Sequence, residues 1–196
     1  VRYPDVILGA DLQPKYNIVQ ETELPQYDFG YHPIGRKKFK EIFNKDPIDF
    51  KNPELSTEWR QFRLNAITSL VNEIIEIAHK KNKKVTAAVF PFPEMSRQMV
   101  RQAWNDWNLD AAYPMLYQNF YRENINWIGF ATKQGVNDVD FPIFSGLYSP
   151  ALRKADELEK AIIISKENGA KGISIFTADG LNEEQQSVFV KLKNKF

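Results

Sequence analysis

The chain contains four short segments that are rich in β-branched and other apolar residues. A segment with helical periodicity follows each of them. The segments span 84–90, 110–117, 141–147 and 172–176. Strands separated by single helices pair in parallel through right-handed crossovers. The spacing therefore predicts an α/β fold in one domain over 1–196. The pattern leaves open whether the sheet is a (β/α) barrel or an open doubly wound sheet, and in both architectures ligands bind beyond the carboxyl ends of the strands.

Amphipathic spacing predicts helices between the strands. The longest runs from about Ser56, its N-cap, to Lys81. Its predicted buried residues are Trp59, Phe62, Leu70, Val71, Ile74, Ile75 and Ala78. Five further helices complete the pattern. The first is a basic helix over 34–44 with a buried stripe of Phe39, Ile42 and Phe43, and the second is capped by Ser96 and continues to Trp107. The others are a helix over 120–132, a helix capped by Ser149 and ending at Gly169, and a last helix with a capping box of Asn182 and Gln185.

Two residues of the second strand segment are expected to shape the sheet without taking part in chemistry. Pro114 lacks the N–H that a central strand donates, so we expect a bulge or a local irregularity there. Asp110 begins the segment and would lie at the end of a barrel that supports stability, so we interpret it as structural.

Charge and composition exclude several function classes. Lys and Arg number 26 against 25 Asp and Glu, which provides no overall field for nucleic acid and favours neutral or weakly charged ligands. The chain has no cysteine and only two histidines, His32 and His79, so we expect no disulfide, no metal site and no cofactor. No apolar run approaches the ~20 residues of a membrane span, which predicts no span in this chain.

Several short sequence motifs occur along the chain, and their order is more informative than any one of them. They are Val1-Arg2-Tyr3-Pro4, Asp28-Phe29-Gly30-Tyr31, Trp59-Arg60 with Phe62-Arg63, Tyr113-Pro114-Met115 with Tyr117, Gly146-Leu147 and Gly172-Ile173. In this order they resemble the glycosyl-hydrolase-like family ten proteins, which are bacterial barrel enzymes of glycan metabolism. The resemblance covers nearly the whole chain.

The resemblance implies a (β/α)8 TIM-barrel-type fold of which strands five to eight and their helices are present. Val1 would lie at the exit of strand four, and the acidic residue that the family places just before its Arg-Tyr-Pro would precede Val1. It further implies a glycoside hydrolase acting on a bacterial polysaccharide, with peptidoglycan glycan strands as the suggested substrate, in the cell envelope or secreted. The open edges of such a half-barrel predict self-association or pairing with the missing half.

Glycoside hydrolysis ordinarily uses two carboxyl groups, one as acid and one as base or nucleophile. Glu94 and Asp179 follow the first and last strand segments and are the candidate catalytic residues. Glu94 has the alternative of favouring a helix N-terminus, and Asp179 that of a turn residue before Gly180. The exit of the third segment, 145–148, carries no acid, which argues against a retaining layout with a glutamate on strand seven.

Sugar sites stack aromatic rings on the apolar face of the sugar and direct polar groups at its hydroxyls. The candidate substrate-binding residues are Arg2, Tyr3, Asp28, Tyr31, Phe92, Tyr117 and Tyr148. Arg2 would bind an acidic or N-acetylated sugar through its guanidinium group. The alternative is that it pairs with Asp28. The leading hypothesis is therefore a glycoside hydrolase with an oligo- or polysaccharide ligand. The alternative is a non-catalytic carbohydrate-binding or half-barrel assembly domain.

Overall fold

Four short parallel strands form the centre of the computed structural model, which describes residues 24–193. They are β1 (Thr86–Val89), β2 (Ala111–Pro114), β3 (Phe144–Tyr148) and β4 (Gly172–Phe176). β1 pairs with β2, and β3 pairs with β4. Two isolated parallel bridges join β2 to β3, so the strands lie side by side in the order in which they occur in the sequence. The predicted α/β class with parallel pairing is confirmed.

Pro114 explains why the four strands form two ladders and not one continuous ladder. The N–H groups of alternate residues point to the same neighbouring strand. On the side of β3, Ala112 donates to the Pro142 carbonyl at 3.1 Å and Leu116 donates to the Gly146 carbonyl at 2.9 Å. Pro114 lies midway between these donors and has no N–H to give. The predicted irregularity is therefore present, at the junction of β2 and β3.

Six α-helices occur among residues 24–193, and none of them is long and apolar enough to cross a lipid bilayer. Short 3-10 turns connect several of them to the strands. The helices are α1 (Pro33–Phe43), α2 (Thr57–His79), α3 (Pro93–Val100), α4 (Asn126–Asp138), α5 (Ala155–Glu167) and α6 (Glu183–Leu192).

Helix α2 begins as predicted, with the Ser56 hydroxyl accepting a hydrogen bond from the Trp59 N–H at 3.2 Å. Its predicted buried face is only partly correct. Trp59 and Ile75 are 1% exposed, but Leu70 and Ile74 are 44% and 50% exposed. Leu70 and Ile74 lie on a flank of the helix that the described chain covers only in part.

Helix α3 is shorter than the predicted helix and begins earlier. It ends at Val100 because Arg101 adopts a left-handed conformation with φ of 59°. Ser96 lies inside the helix and does not cap it. Its hydroxyl donates to the Phe92 carbonyl at 2.9 Å and accepts from the Trp104 indole N–H at 3.0 Å. Trp104 is nonetheless fully buried, as its apolar character predicts.

Helices α4 and α5, in contrast, start later than predicted. A left-handed Arg122, with φ of 58°, separates the 3-10 turn Gln118–Tyr121 from α4. Ser149 caps no helix, because α5 begins at Ala155. The predicted capping box of α6 is confirmed by reciprocal hydrogen bonds between Asn182 and Gln185.

The helices cover one face of the sheet, and the strands direct alternate residues to each face. In β3, Ser145 and Leu147 point to the helices and are fully buried there. Phe144 and Tyr148 point to the opposite face, where the Phe144 ring stacks on that of Tyr113 with centroids 5.0 Å apart. In β1, Ala88 on this opposite face is exposed. The sheet therefore presents an aromatic face that the described helices leave open.

The amino-terminal part of the described chain has a small aromatic core of its own. Phe39 of α1 is fully buried and packs edge-on against Trp59 of α2, with ring centroids 5.1 Å apart. Phe43 is half-buried beside it, as predicted. Ile42, the third residue of the predicted stripe, is 65% exposed, so the buried face of α1 is narrower than predicted.

Candidate functional site

Four aromatic rings gather at the carboxyl ends of β2, β3 and β4. Tyr148 and Phe176 are the last residues of their strands and are register partners. Tyr117 follows β2 by three residues, and Phe120 lies in the 3-10 turn that comes next. We call Tyr117, Phe120, Tyr148 and Phe176 the aromatic cluster.

The rings of the aromatic cluster contact one another closely. The Tyr117 and Tyr148 centroids are 5.2 Å apart, and those of Phe120 and Tyr148 are 5.3 Å apart. Phe176 lies nearly parallel to both tyrosines, at 6.1 and 6.2 Å with interplanar angles of 20° and 21°. Phe120 and Phe176 are 51% and 55% exposed. The cluster is therefore an aromatic surface that a ligand can reach.

The sheet register creates this arrangement. Parallel strands in register place Tyr148 beside Phe176, and strand alternation puts both on the face away from the helices. The Ser149 hydroxyl donates to the Thr177 carbonyl at 2.6 Å, which ties the exit of β3 to the exit of β4. This hydrogen bond holds the two loops together directly behind the rings.

The tyrosines supply hydrogen-bonding groups at the edge of this surface. Burial raises the pKa of the Tyr117 phenol above its usual value, and the neighbouring Tyr148 raises it further. Tyr117 therefore keeps its proton at neutral pH and can donate a hydrogen bond to a ligand or accept one from it. Apolar ring faces beside phenol groups are the combination that sugar recognition needs.

The structure places the two candidate carboxylates at different strand exits. Asp179 is exposed in the turn after β4, three residues beyond Phe176 of the aromatic cluster. Glu94 is exposed in the first turn of α3, beyond β1. Its carboxylate accepts a hydrogen bond from the Gln98 amide at 2.8 Å, within the same helix. Of the two candidates, Asp179 is thus the one closer in sequence to the cluster.

Asp28 and Tyr31 lie in the protein interior, which corrects their predicted contact with a ligand. The Asp28 carboxylate is 1% exposed and pairs with the Arg63 guanidinium at 2.5 Å. It also accepts from the Gly30 N–H at 2.7 Å. Tyr31 is 5% exposed and packs 5.2 Å from the Trp59 ring. The structure gives both residues a role in packing α2 against the segment before α1.

Phe92 belongs to the core more than to a ligand surface. It is half-buried against the core on the helix side, and its ring meets that of Phe130 edge-on at 5.8 Å. Arg2 and Tyr3, the remaining substrate-binding predictions, lie outside the described residues. Among the predicted aromatic residues, the structure therefore brings together Tyr117 and Tyr148.

Two members of the aromatic cluster, Phe120 and Phe176, were not predicted. Phe176 had a usable signal, because it ends a predicted strand, and a strand's last residue lies at the ligand-binding end of a parallel sheet. Phe120 had none, because the sequence around it predicts the start of a helix and not the tight turn that directs its ring toward Tyr148.

Comparisons with models of protein families, with curated proteins and with solved structures found no match to the chain. Within residues 24–193, no group of three or more His, Asp or Glu side chains is placed to hold a metal ion. We therefore infer function from the aromatic cluster, from Asp179 in the turn after β4 and from the resemblance in the sequence.

Proposed function

We propose that this chain binds an oligo- or polysaccharide on its aromatic cluster, as the carboxyl half of a glycoside hydrolase with a (β/α)8 TIM-barrel-type fold. One observation carries the proposal. Three successive strand ends contribute rings to one surface, and two of these rings, Phe120 and Phe176, are about half exposed. A soluble fold normally buries such rings, so their exposure beside tyrosine hydroxyls favours a ligand with apolar faces and hydroxyl edges.

The strand order supports the barrel part of this proposal. An open doubly wound sheet reverses its strand order at a switch point. Here the order β1-β2-β3-β4 follows the sequence without reversal, and the helices pack on a single face. Both properties are those of a barrel wall, whose inner face carries the residues that point away from the helices. In such a barrel, Tyr113 and Phe144, whose rings stack on the face away from the helices, would point to the interior.

Hydrolysis would use the carboxylates that surround the barrel mouth. Asp179 follows Phe176 at the exit of β4, and we propose it as one member of the pair, with Glu94 as the candidate at the exit of β1. One carboxyl group would protonate the glycosidic oxygen, while the other would act as base or nucleophile. The resemblance suggests peptidoglycan glycan strands as the substrate and the cell envelope or the exterior as the location.

A specific observation favours a second candidate, which is non-catalytic carbohydrate binding. The Glu94 carboxylate is hydrogen-bonded to Gln98 of its own helix, and the β3 exit at Ser145–Tyr148 carries no acid. The aromatic cluster would serve either function equally well. Separate measurements of binding and of hydrolysis distinguish the two.

The binding test measures retention of the 196-residue chain on insoluble peptidoglycan and on other polysaccharides. Tyr148→Ala and Phe176→Ala should each weaken binding at least tenfold, because stacking surface is lost. Phe29→Ala is the matched control, since Phe29 is 95% exposed and lies outside the cluster. If the cluster variants bind as wild type does, or if Phe29→Ala weakens binding equally, the proposed site is wrong.

The hydrolysis test measures the release of new reducing ends from a glycan that the chain binds. Asp179→Asn and Glu94→Gln should abolish release while leaving binding unchanged, and Glu41→Gln on the exposed side of α1 serves as control. Release that persists in both variants would remove these two acids from the proposal. Since the resemblance places one acidic residue before Val1, the same assay is run on a chain extended upstream to include that residue. Binding without any release by the extended chain would favour the non-catalytic alternative.

A further inference from the structure

The turn that follows β3 is joined to several neighbouring segments. It spans residues 149–152 and follows Tyr148 directly, with the Leu152 N–H donating to the Ser149 carbonyl at 3.0 Å. We call these residues the β3 exit turn. At its start, the Ser149 hydroxyl donates to the Thr177 carbonyl at 2.6 Å. Because Tyr148 continues directly into this turn, the position of the turn influences that of the Tyr148 ring.

Two glutamine side chains bind the other end of the β3 exit turn. The Gln185 amide of α6 donates to the Leu152 carbonyl at 2.7 Å, and the Gln118 amide donates to the Ala151 carbonyl at 3.5 Å. Gln185 and Gln118 are 3% and 4% exposed. The Gln185 bond is buried and is the shorter of the two. It is therefore the stronger restraint on the turn.

Gln185 also belongs to the capping box of α6, where it uses two other groups. Its backbone N–H donates to the Asn182 side-chain oxygen at 2.8 Å, and its own side-chain oxygen accepts from the Asn182 N–H at 3.0 Å. A glutamate in this position would complete a capping box equally well, since either residue type supplies the acceptor. The amide N–H that reaches Leu152 is the one group that only glutamine adds. Gln185 thus does more than begin the helix.

Tyr148 is in contact with every other ring of the aromatic cluster. Its ring centroid is 5.2 Å from that of Tyr117, 5.3 Å from that of Phe120 and 6.2 Å from that of Phe176. A shift of the β3 exit turn would therefore disturb three ring contacts at once. Rings that are already fixed bind a ligand at a lower entropic cost than rings that must be ordered on binding.

We propose that Gln185 is a positioning residue of the aromatic cluster. Its amide holds the β3 exit turn against the start of α6, which keeps the Tyr148 ring in place for a ligand. Gln185 itself is buried and acts on that ligand only through Tyr148. The effect of Gln185 on binding rests on the proposed carbohydrate site, whereas its effect on the arrangement of the rings does not.

Gln185→Glu tests the positioning role, because it keeps the acceptor of the capping box and removes the donor to Leu152. We expect the far-ultraviolet circular dichroism spectrum to stay as in wild type, and the tyrosine bands of the near-ultraviolet spectrum to weaken. Gln186→Glu is the matched control on the same helix. The Gln186 amide donates to the Leu181 carbonyl at 2.9 Å, at an exposed site where water can replace it. The near-ultraviolet spectrum of this control should stay as in wild type.

Retention on a glycan that wild type binds provides the second readout. Gln185→Glu should weaken retention roughly three- to tenfold, the cost of ordering one or two side chains on binding. In a Tyr148→Ala background the same substitution should have no further effect, because the ring through which Gln185 acts is gone. A residue that acted on binding by another route would give losses that add.

An unchanged near-ultraviolet spectrum in Gln185→Glu overturns the proposal, as do an equal change in Gln186→Glu and additive losses in the double variant. Gln185→Met, which removes the donor without adding a charge, takes the place of Gln185→Glu if that variant does not fold. If neither variant keeps the wild-type far-ultraviolet spectrum, Gln185 supports the whole fold and the role assigned here is wrong. If wild type binds no glycan, the proposed function fails, and the near-ultraviolet comparison still decides whether Gln185 positions the rings.

Discussion

The backbone of Gly146 lies directly against the carbonyl of Pro114, so that a Cβ atom on residue 146 would come within 2.7 Å of that oxygen. This contact occurs where β2 and β3 meet, three residues before Tyr117 and two residues before Tyr148. Pro114 has no N–H to donate and Gly146 has no side chain, and both absences occur at the same contact between β2 and β3. It allows two strands to approach without a complete ladder between them.

Gly146→Ala should destabilise the fold by about 1–3 kcal/mol, because the added methyl group must push the Pro114 backbone aside. Urea unfolding followed by circular dichroism measures this change. Gly180→Ala is the matched control, since a Cβ there meets only the Thr177 hydroxyl, at 4.0 Å. Equal stability of the two variants would contradict the close approach of β2 and β3.

The buried ion pair between Asp28 and Arg63 predicts an unusually costly charge deletion. Asp28→Asn leaves the Arg63 guanidinium buried without its carboxylate partner, which should cost roughly 3–5 kcal/mol of unfolding free energy. Glu58→Gln is the comparison, because Glu58 pairs with Lys45 at the surface, where both side chains are more than 40% exposed. Removing that pair should cost about 1 kcal/mol or less.

Chemical denaturation of both variants decides this prediction. A loss in Asp28→Asn no larger than that in Glu58→Gln would show that the interior position of Asp28 is wrong. In that case the predicted contact of Asp28 with a ligand would become the better interpretation again.

A buried hydroxyl pair links β3 to α4. The Thr132 hydroxyl donates to the Ile128 carbonyl at 2.8 Å, so its contact with the Ser145 hydroxyl, at 2.9 Å, has Ser145 as donor. Thr132→Val would leave the Ser145 donor buried without this acceptor and should cost about 1–3 kcal/mol. Ser145→Ala removes the donor itself and should cost less.

The double variant of Thr132 and Ser145 is the control for this asymmetry. Because it removes both hydroxyls together, its cost in unfolding free energy should fall below the sum of the two single losses. Additive losses would indicate that the two hydroxyls do not interact. Thermal or urea unfolding of the four proteins in the cycle provides the comparison.

Asp110 predicts a pH-dependent contribution to stability at the amino end of β2. The hydrogen bond to His79, together with that from the Val85 N–H, holds the pKa of the Asp110 carboxyl below its usual 3.8. A lowered folded-state pKa means that the ionised form stabilises the fold above the unfolded-state pKa. This stabilisation is lost as the pH falls through the lowered pKa.

The stability gap between wild type and Asp110→Asn should therefore be constant near neutral pH and should shrink from about pH 4 downward. Urea midpoints measured between pH 6 and pH 2 report it. A gap that widens with acidification would contradict the assigned direction of the pKa shift. The interpretation of Asp110 as structural predicts no change in glycan binding at neutral pH.

Local chemistry in the sequence determined much of the fold. Apolar β-rich runs located all four strands, Ser56 and the pair of Asn182 with Gln185 located two helix starts, and Gly169, with φ of 97°, ends α5 where expected. Each of these features depends on neighbours within a few residues, which is why the sequence alone predicts them. Pro114 belongs to the same class, because the absence of a donor is a property of the residue itself.

The failures lie where a side chain makes a hydrogen bond other than the expected helix cap, or where the backbone becomes left-handed. Ser96 and Ser149 both look like helix caps, but their hydroxyls bind the Phe92 and Thr177 carbonyls. Arg101 and Arg122 adopt left-handed backbone conformations, which the residues around them do not predict. The Ser149 bond joins the exits of β3 and β4, which lie 28 residues apart in the chain.

The sequence by itself determined the class of the fold, because strand and helix periodicities follow from short-range sterics and amphipathicity. Only the tertiary structure decided which aromatic residues share a surface. The tyrosines and phenylalanines of the aromatic cluster contact one another because parallel register aligns three strand ends. Asp28, in contrast, is buried in an ion pair with Arg63, and Tyr31 is buried against the Trp59 ring. Register and long-range pairing depend on residues far apart in the chain, and single-residue chemistry does not encode them.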